Sequence, residues 1–464
     1  MSKAIFWCRN DLRLRDNPGL SYALRHHDEV AVVYIDEADL SSPSASDWWR
    51  FEALTDFAEQ LDGKLIYRYG NAKELLPLLL DELSADAVYW NRCYEPKAMA
   101  RDAELKQQLK DSGTTVASFP GNLLVEPWEV LKGDETPYRV FTPFYKAALK
   151  QGFAEPYDNV ESTSLSQLMV AKSELQQIKA KVQRPWMSML AEHWSISTQS
   201  MDQRIDGFLS QAIDGYGELR NVPAVDGCSR LSPYLHFGQV SPREIVARAG
   251  AKHLTGSFIR ELVWREFSHY VLYHWPTTEE ENMDSRFDVI PWINNADQIN
   301  AWQKGLTGIP MVDAGMRELW QTGYMHNRVR MIVASLLTKH MMVDWREGAK
   351  WFMDTLVDAD VAQNSLSWQW TAGSGVDAAP YFRIFNPVTQ GEKFDPKGDY
   401  VRRWVPELAE LPDKWIHQPW AAPEEICRLV KFVPGKDYPL PIVDLKSGRE
   451  RALSIWETIK GAAA

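Results

Sequence analysis

The sequence predicts an α/β domain built on a doubly wound parallel sheet, then a long connector, then an all-α domain. Three observations lead there. Short β-branched or aromatic runs alternate with helical patterns in the first part of the chain. From about Gln151 to Met201 the pattern weakens, and Ser, Gln and Lys dominate apart from Pro185-Trp186. Beyond that stretch, apolar residues recur at three- and four-residue spacing. The segments read 1–130, 131–200 and 201–464.

The strands come first. Ala4–Cys8, Val30–Asp36, Leu65–Arg68, Ala87–Trp90 and Thr115–Phe119 carry the β pattern, and Asp47–Leu61, Lys73–Ser84 and Lys97–Lys110 between them are amphipathic. Strands alternating with helices imply a parallel sheet with helices on its faces. The first strand runs into Arg9-Asn10-Asp11-Leu12-Arg13, not a glycine loop, so the dinucleotide-binding fingerprint is absent. The connector reads as a long crossing between domains, with some helix. Ser257–His274, Val312–Gln321 and His326–Met342 are the clearest helices beyond it. No internal repeat is apparent.

Composition narrows the class. In 464 residues, 45% are apolar and 25% charged, which is ordinary globular usage. Four scattered cysteines (Cys8, Cys93, Cys228, Cys427) support neither a disulfide framework nor a cysteine zinc site, and they fit a reducing compartment. No signal-peptide pattern follows Met1-Ser2-Lys3, and no apolar run approaches the ~20 residues that span a bilayer. A soluble, cytoplasmic protein is expected, with no membrane partner. The net charge of −12 argues against unspecific coating of nucleic acid but leaves room for a locally basic face. Of 20 tryptophans, 12 lie between Trp264 and Trp420, enough for a rich aromatic core.

The usual catalytic signatures are missing. His26-His27, His269 and His274 have no metal-ligand spacing, so no metal is expected. There is no nucleophile elbow and no phosphate loop. What stands out is polar residues within apolar helices. Glu261 and Arg265 share a helical face beside Trp264, which on its own reads as a helical ion pair. Asn327, Arg330 and Met331 share another, while Arg328 points elsewhere. Asp358, Asp360, Asn364, Trp368 and Trp370 then place two carboxylates, an amide and two indoles within 13 residues. Buried polar groups need partners, so a large polar ligand is the natural explanation, and a flavin fits.

Longer motifs carry a resemblance. Thr307–Ala314, Tyr324-Met325-His326-Asn327-Arg328, Asp344–Gly348, Ser367-Trp368-Gln369-Trp370 and Asp377–Pro387 are similar to the photolyase/cryptochrome family. Trp7–Asn17 matches the family's opening motif. The likeness spans nearly the whole chain in order, and most resembles a bacterial cyclobutane pyrimidine dimer photolyase.

The resemblance implies an N-terminal α/β domain and a C-terminal helical domain holding FAD. By motif match, Tyr216, Ser229, Leu231, Ser232, Arg265, Asn327, Arg330, Asp358, Asp360 and Asn364 would contact FAD. Cys228 stands where the family commonly has Thr, which puts one hydroxyl contact in doubt. Glu261, Trp264, Met331 and Trp370 would line a pocket for a flipped-out dimer, with Arg220, Arg328 and Arg383 on DNA phosphates. Trp368, Trp345 and Trp292 would pass electrons inward to the flavin, and Asn364 would stand beside its reactive nitrogen. The expected partner is UV-damaged DNA, met by a monomer. Many members also carry a light-harvesting antenna, a methenyltetrahydrofolate or a deazaflavin. Trp90–Pro96 and Phe119–Leu124 lie where an antenna site is expected, its identity open.

Two readings compete with dimer repair. A cryptochrome-type photoreceptor shares the fold and FAD, but plant cryptochromes tend to carry an acid where Asn364 stands. Repair of (6-4) photoproducts wants a substrate-pocket histidine, where this chain offers Met331 and Glu261.

Overall fold

The computed structural model describes residues 1–461. Five strands form one parallel sheet: β1 (Lys3–Cys8), β2 (Glu29–Asp36), β3 (Ile66–Tyr69), β4 (Ala87–Asn91) and β5 (Thr115–Phe119), in the order β3-β2-β1-β4-β5. The central strand is in register with β2 through Ile5 and Ala31, and with β4 through Ile5 and Val88. Ala4 to Cys8 are all buried, as a parallel strand covered on both faces requires. The chain reverses direction across the sheet at β1, which makes it doubly wound as the sequence predicts. Ile5, Trp7, Val33, Ile66, Leu76, Val88, Trp90 and Leu105 pack together on one side of it.

The helices α2 (Ala45–Gln60), α3 (Ala72–Leu83) and α4 (Pro96–Asp111) match the three amphipathic stretches to within two residues. Ser44 opens α2 with a reciprocal capping box to Asp47. One helix in this unit escapes the sequence reading: α1 (Pro18–His26), whose Pro18-Gly19 start resembles a turn. Asn17 caps it by accepting from the Leu20 N–H, and Pro18 occupies the first turn, where its missing N–H costs nothing. Gly19 is required there, since a Cβ would come within 2.8 Å of both Asn91 Oδ1 and the Phe6 ring.

The connector is more structured than its composition suggests. It holds α5 (Phe141–Gln151), a 3-10 segment at Ser162–Gln167 and short helices at Leu175–Val182 and Met187–Ala191. Leu168 bridges to Val30 of β2, and Leu175, Met187 and Leu190 are buried. The described chain divides into two compact units, residues 1–210 with 229–276, and 211–228 with the remainder from Thr277 onward. This division differs from the three sequence segments. The connector and the Ser257–His274 helix pack with the sheet unit, tied by Arg243 to Asp16, Phe144 to Phe267 and the Tyr270 hydroxyl to the Val130 carbonyl.

The second unit is helical and holds a core that includes Trp302, Met311, Val333, Trp345, Phe352 and Trp368. The helix predicted over His326–Met342 is Asn327–Ser335, followed by a π-helical turn at Leu336–His340. In that turn Lys339 is buried. Its Nζ donates to the Ala372 carbonyl at 2.5 Å and lies 3.3 Å from the Tyr381 ring centre. No helix of the described residues is long and apolar enough to cross a membrane.

Candidate functional site

In the helical unit, the polar residues cluster on three consecutive helices. His326 caps Asn327–Ser335 by accepting from the Arg328 N–H at 3.2 Å. One turn on, Arg330 donates to the Met325 carbonyl at 2.8 Å and to both Asp358 oxygens at 3.0 and 3.2 Å. Burial opposes that guanidinium's charge, but Asp358, with Tyr324 and Glu318, favours it, and on balance the pKa is raised. Arg330 and Asp358 therefore form an ion pair. Asn327 is exposed, and its side chain makes no hydrogen bond among the described residues. Glu318 braces this corner, accepting from the Tyr400 hydroxyl at 2.6 Å and the His326 N–H at 3.3 Å.

Asp360 caps the Val361–Ala372 helix, accepting from the Gln363 N–H at 2.9 Å. Four residues later, Asn364 Nδ2 donates to the Ala349 carbonyl at 2.9 Å. That bond orients the amide and leaves its Oδ1 with no donor among the described residues. The same helix buries Trp368 and half-exposes Trp370, whose ring stacks on no other among the described residues.

The three tryptophans of the expected electron path belong to one packed region. Trp368 and Trp345 are buried in the same cluster, and half-buried Trp292 packs against it. Gly348 lets the Trp345–Thr355 helix lie flat on Trp368, because a Cβ there would be 2.1 Å from its ring. Trp345 Nε1 donates to Asn282 Oδ1 at 3.0 Å, and Asn282 Nδ2 donates to Asp288 at 2.7 Å. Trp302, unremarked in the sequence, is edge-on to Trp368 at 6.3 Å.

Three cations are expected on DNA: Arg220, Arg328 and Arg383. Arg328 donates to Asn221, lies 4.4 Å from the Phe394 ring centre and has no carboxylate partner among the described residues. Burial and the nearby Arg220 charge lower its pKa. Met331 Sδ is 4.0 Å from an Arg328 nitrogen, and Arg383 is exposed. Tyr216 is buried under Arg220 at 5.6 Å.

In the sheet unit, the Ser257–His274 helix carries Glu261 and Trp264 half-exposed and Arg265 buried. Arg265 does not pair with Glu261 as the helical spacing suggests. It donates instead to Glu266 at 3.1 Å and to the Asn122 carbonyl at 2.7 Å, and its buried Nε has no partner among the described residues. Ser229 accepts from the Leu231 N–H at 3.4 Å, and Ser232 opens the next helix. The stretches expected at an antenna site spend their polar groups on each other. Arg92 and Tyr94 both donate to Glu126, at 2.6 and 3.1 Å, and the Gly121 N–H donates to the Tyr94 hydroxyl.

Several of these partners had no signal in the sequence. Asn282 is a lone amide after three glutamates, and Glu318 is one of several polar residues on its helix. Phe141 is different: it belongs to an aromatic run, Tyr138 to Tyr145, and lies parallel to Trp264 with ring centres 3.7 Å apart.

Within the helical unit, the unpartnered Asn364 Oδ1 and the neutralised Arg330–Asp358 pair fit a large polar ligand such as FAD. Comparison with known proteins agrees. Residues 4–161 match the DNA photolyase family, and residues 258–458 match the FAD binding domain of DNA photolyase. A deoxyribodipyrimidine photo-lyase of Agrobacterium fabrum is 44% identical over 470 residues, covering 98% of each chain. Cryptochrome-2 of Arabidopsis thaliana is 34% identical, over 97% of this chain and 78% of its own length. The crystal structure of a class III photolyase from Agrobacterium tumefaciens superposes with a TM-score of 0.93 and 43% identity, covering 99% of this chain and 98% of that one. With both family regions matched in order and the likeness running nearly end to end, the chain belongs to the photolyase/cryptochrome family.

Proposed function

We propose that this chain is a light-driven DNA-repair enzyme that splits cyclobutane pyrimidine dimers with FAD as cofactor. The observation that carries the reading is the full-length similarity to a deoxyribodipyrimidine photo-lyase. The amide at Asn364, in the position where plant cryptochromes tend to have an acid, supports it.

Tyr216, Ser229, Leu231, Ser232, Arg265, Asn327, Arg330, Asp358, Asp360 and Asn364 hold the flavin in this reading. When bound, reduced FAD supplies under light the electron that opens the cyclobutane ring, and takes it back afterwards. The chain's own residues bind and orient. Asn364, its Nδ2 held by Ala349, offers Oδ1 as an acceptor to an N–H of the ring system. Trp264 and Trp370 stack on bases taken out of the helix, at ~1–3 kcal/mol per base. Met331 fills the irregular gap beside them, and Glu261 faces the carbonyl edge of the dimer. Flipping is favoured at the lesion because a damaged pair is poorly stacked. Arg220, Arg328 and Arg383 hold phosphates, and the lack of a carboxylate on Arg328 leaves its charge free for that. Trp292, Trp345 and Trp368 relay electrons inward. A methenyltetrahydrofolate or deazaflavin antenna belongs to the sheet unit in this reading, and the chain acts as a monomer in the cytoplasm.

The test is an absorption spectrum of the purified protein, followed by blue light with an oligonucleotide bearing one thymine dimer. A flavin spectrum and loss of the dimer under light alone are expected. A flavin-containing protein that leaves the dimer intact when fully reduced is a photoreceptor of the cryptochrome type instead.

A further inference from the structure

Trp264 is held from one side by a residue far away in sequence. Phe141, the first residue of α5, lies parallel to the indole at 3.7 Å and 8°. Phe267 meets the same indole edge-on at 5.8 Å. No other ring of the described residues contacts Trp264, and the side chain is half-exposed. The same Phe141 ring carries a cation. The Arg260 guanidinium, one helical turn before Trp264, lies 4.9 Å from the Phe141 ring centre and 5.1 Å from that of Tyr145. Arg260 is half-exposed and has no carboxylate partner among the described residues.

α5 is stapled along the helix that carries both residues. The Tyr138 N–H donates to the Tyr270 hydroxyl at 2.8 Å, and Phe144 packs on Phe267 at 5.1 Å. Phe141 itself is fully buried. The ring is thus fixed, and it fixes two side chains that would otherwise be mobile.

We propose that Phe141 is a positioning residue that sets Trp264 and Arg260 as one layered reader of DNA. Trp264 presents its uncovered face to an unstacked base, and Arg260 turns the N–H edge of its guanidinium to the adjoining phosphate. The inference rests on the proposed role of Trp264 and adds Arg260 as a phosphate contact. Two physical effects support it. A guanidinium laid on aromatic rings keeps its planar fork exposed for a phosphate while its stem is immobilised. Ordering both side chains before DNA arrives removes part of the entropy cost of binding.

The experiment measures binding of the FAD-loaded protein in the dark by fluorescence anisotropy, across a salt series. The two probes are an oligonucleotide with one thymine dimer and its undamaged counterpart. Phe141→Leu and the volume-matched Phe141→Met should each lower selectivity for the dimer by about tenfold, the size expected of one base–aromatic stack. Phe141→Tyr should restore it, at unchanged FAD content and melting temperature. Arg260→Gln should keep the selectivity and reduce the salt slope by roughly one. Trp264→Leu is the reference. If it loses selectivity while both Phe141 variants keep it, the positioning role is overturned. Loss of selectivity that Tyr fails to restore would likewise reduce Phe141 to packing. An unchanged salt slope in Arg260→Gln overturns the phosphate contact. If Trp264→Leu itself keeps full selectivity, the base-stacking role of Trp264 fails first, and the positioning role with it.

Discussion

Glu266 shows how one buried side chain ties the Ser257–His274 helix to the rest of its unit. It accepts from the Leu124 N–H at 2.6 Å and pairs with Arg265. Burial pushes its carboxyl up to about 7, although Arg265 and the backbone donors pull it down. The folded value stands above the unfolded one, so between them the folded state binds more protons. Stability from this group is fully present below the unfolded value and is lost as pH rises through about 7. The melting temperature should fall over that window, and Glu266→Gln, which keeps an acceptor for Leu124, should flatten the fall. An equal slope in the Gln variant would assign the pH dependence elsewhere. Asn364 gives a second single-residue prediction. Aspartate there is nearly isosteric, but a carboxylate at ~4 Å from an anionic ring repels it by about 4 kcal/mol at an effective dielectric near 20. A carboxyl kept protonated by burial would instead offer a proton. In both cases FAD content should hold while photoreduction with a thiol donor stalls short of the fully reduced state. A variant that reaches that state at the parent's rate would remove Asn364 from the flavin's side.

At the scale of elements, the Trp345–Thr355 helix matters because Gly348 presses it against Trp368. Trp345→Phe keeps the ring volume and removes the oxidisable indole, so photoreduction should slow sharply. Repair by chemically pre-reduced protein should continue, and its loss would make Trp345 structural or substrate-facing. The elements themselves were mostly legible. Short β-branched or aromatic runs found all five strands to within a residue or so, because a buried parallel strand cannot hide its apolar character. The Ser257–His274 helix was legible end to end for a similar reason. Its apolar residues keep helical spacing over five turns. α1 was not, since Pro18-Gly19 reads as a turn unless one knows that Phe6 and Asn91 forbid a side chain at position 19. The π-helical turn was invisible too: Lys339 looks like a solvated residue, and only the packed structure shows its amine serving the Ala372 carbonyl at the end of another helix.

Over the whole molecule, a net charge of −12 must coexist with binding to a polyanion. Arg328, with no carboxylate partner among the described residues, meets this locally, whereas its neighbours do not: Lys339 is buried, Arg330 pairs with Asp358 and Arg346 with Asp344. Binding should therefore weaken steeply with salt. Arg328→Gln should reduce the salt slope by roughly one and weaken damaged and undamaged DNA about equally. A change in damage selectivity at constant slope would move Arg328 from phosphate to base. The polar cluster was legible as chemistry, because Arg330, Asp358 and Asn364 are polar residues set among apolar helical residues. Its supports were not. Phe141 and Trp264, or Asn282 and Trp345, meet only through tertiary packing, and nothing in the local sequence says which residue each one meets.

The Asn282 contact has a consequence for where a proton goes. An indole that gives up an electron becomes a far stronger acid at its N–H. A carboxylate at that atom would take the proton and pin the vacancy on Trp345. An amide oxygen holds the hydrogen bond but is too weak a base to accept the proton, and Asp288, the basic group behind it, is one amide away. In the proposed relay Trp345 therefore keeps its proton, and the vacancy stays free to move on to Trp292. Transient absorption should find a deprotonated indole radical at Trp345 in Asn282→Asp and not in the parent. Its appearance in both would mean that the proton leaves by another route.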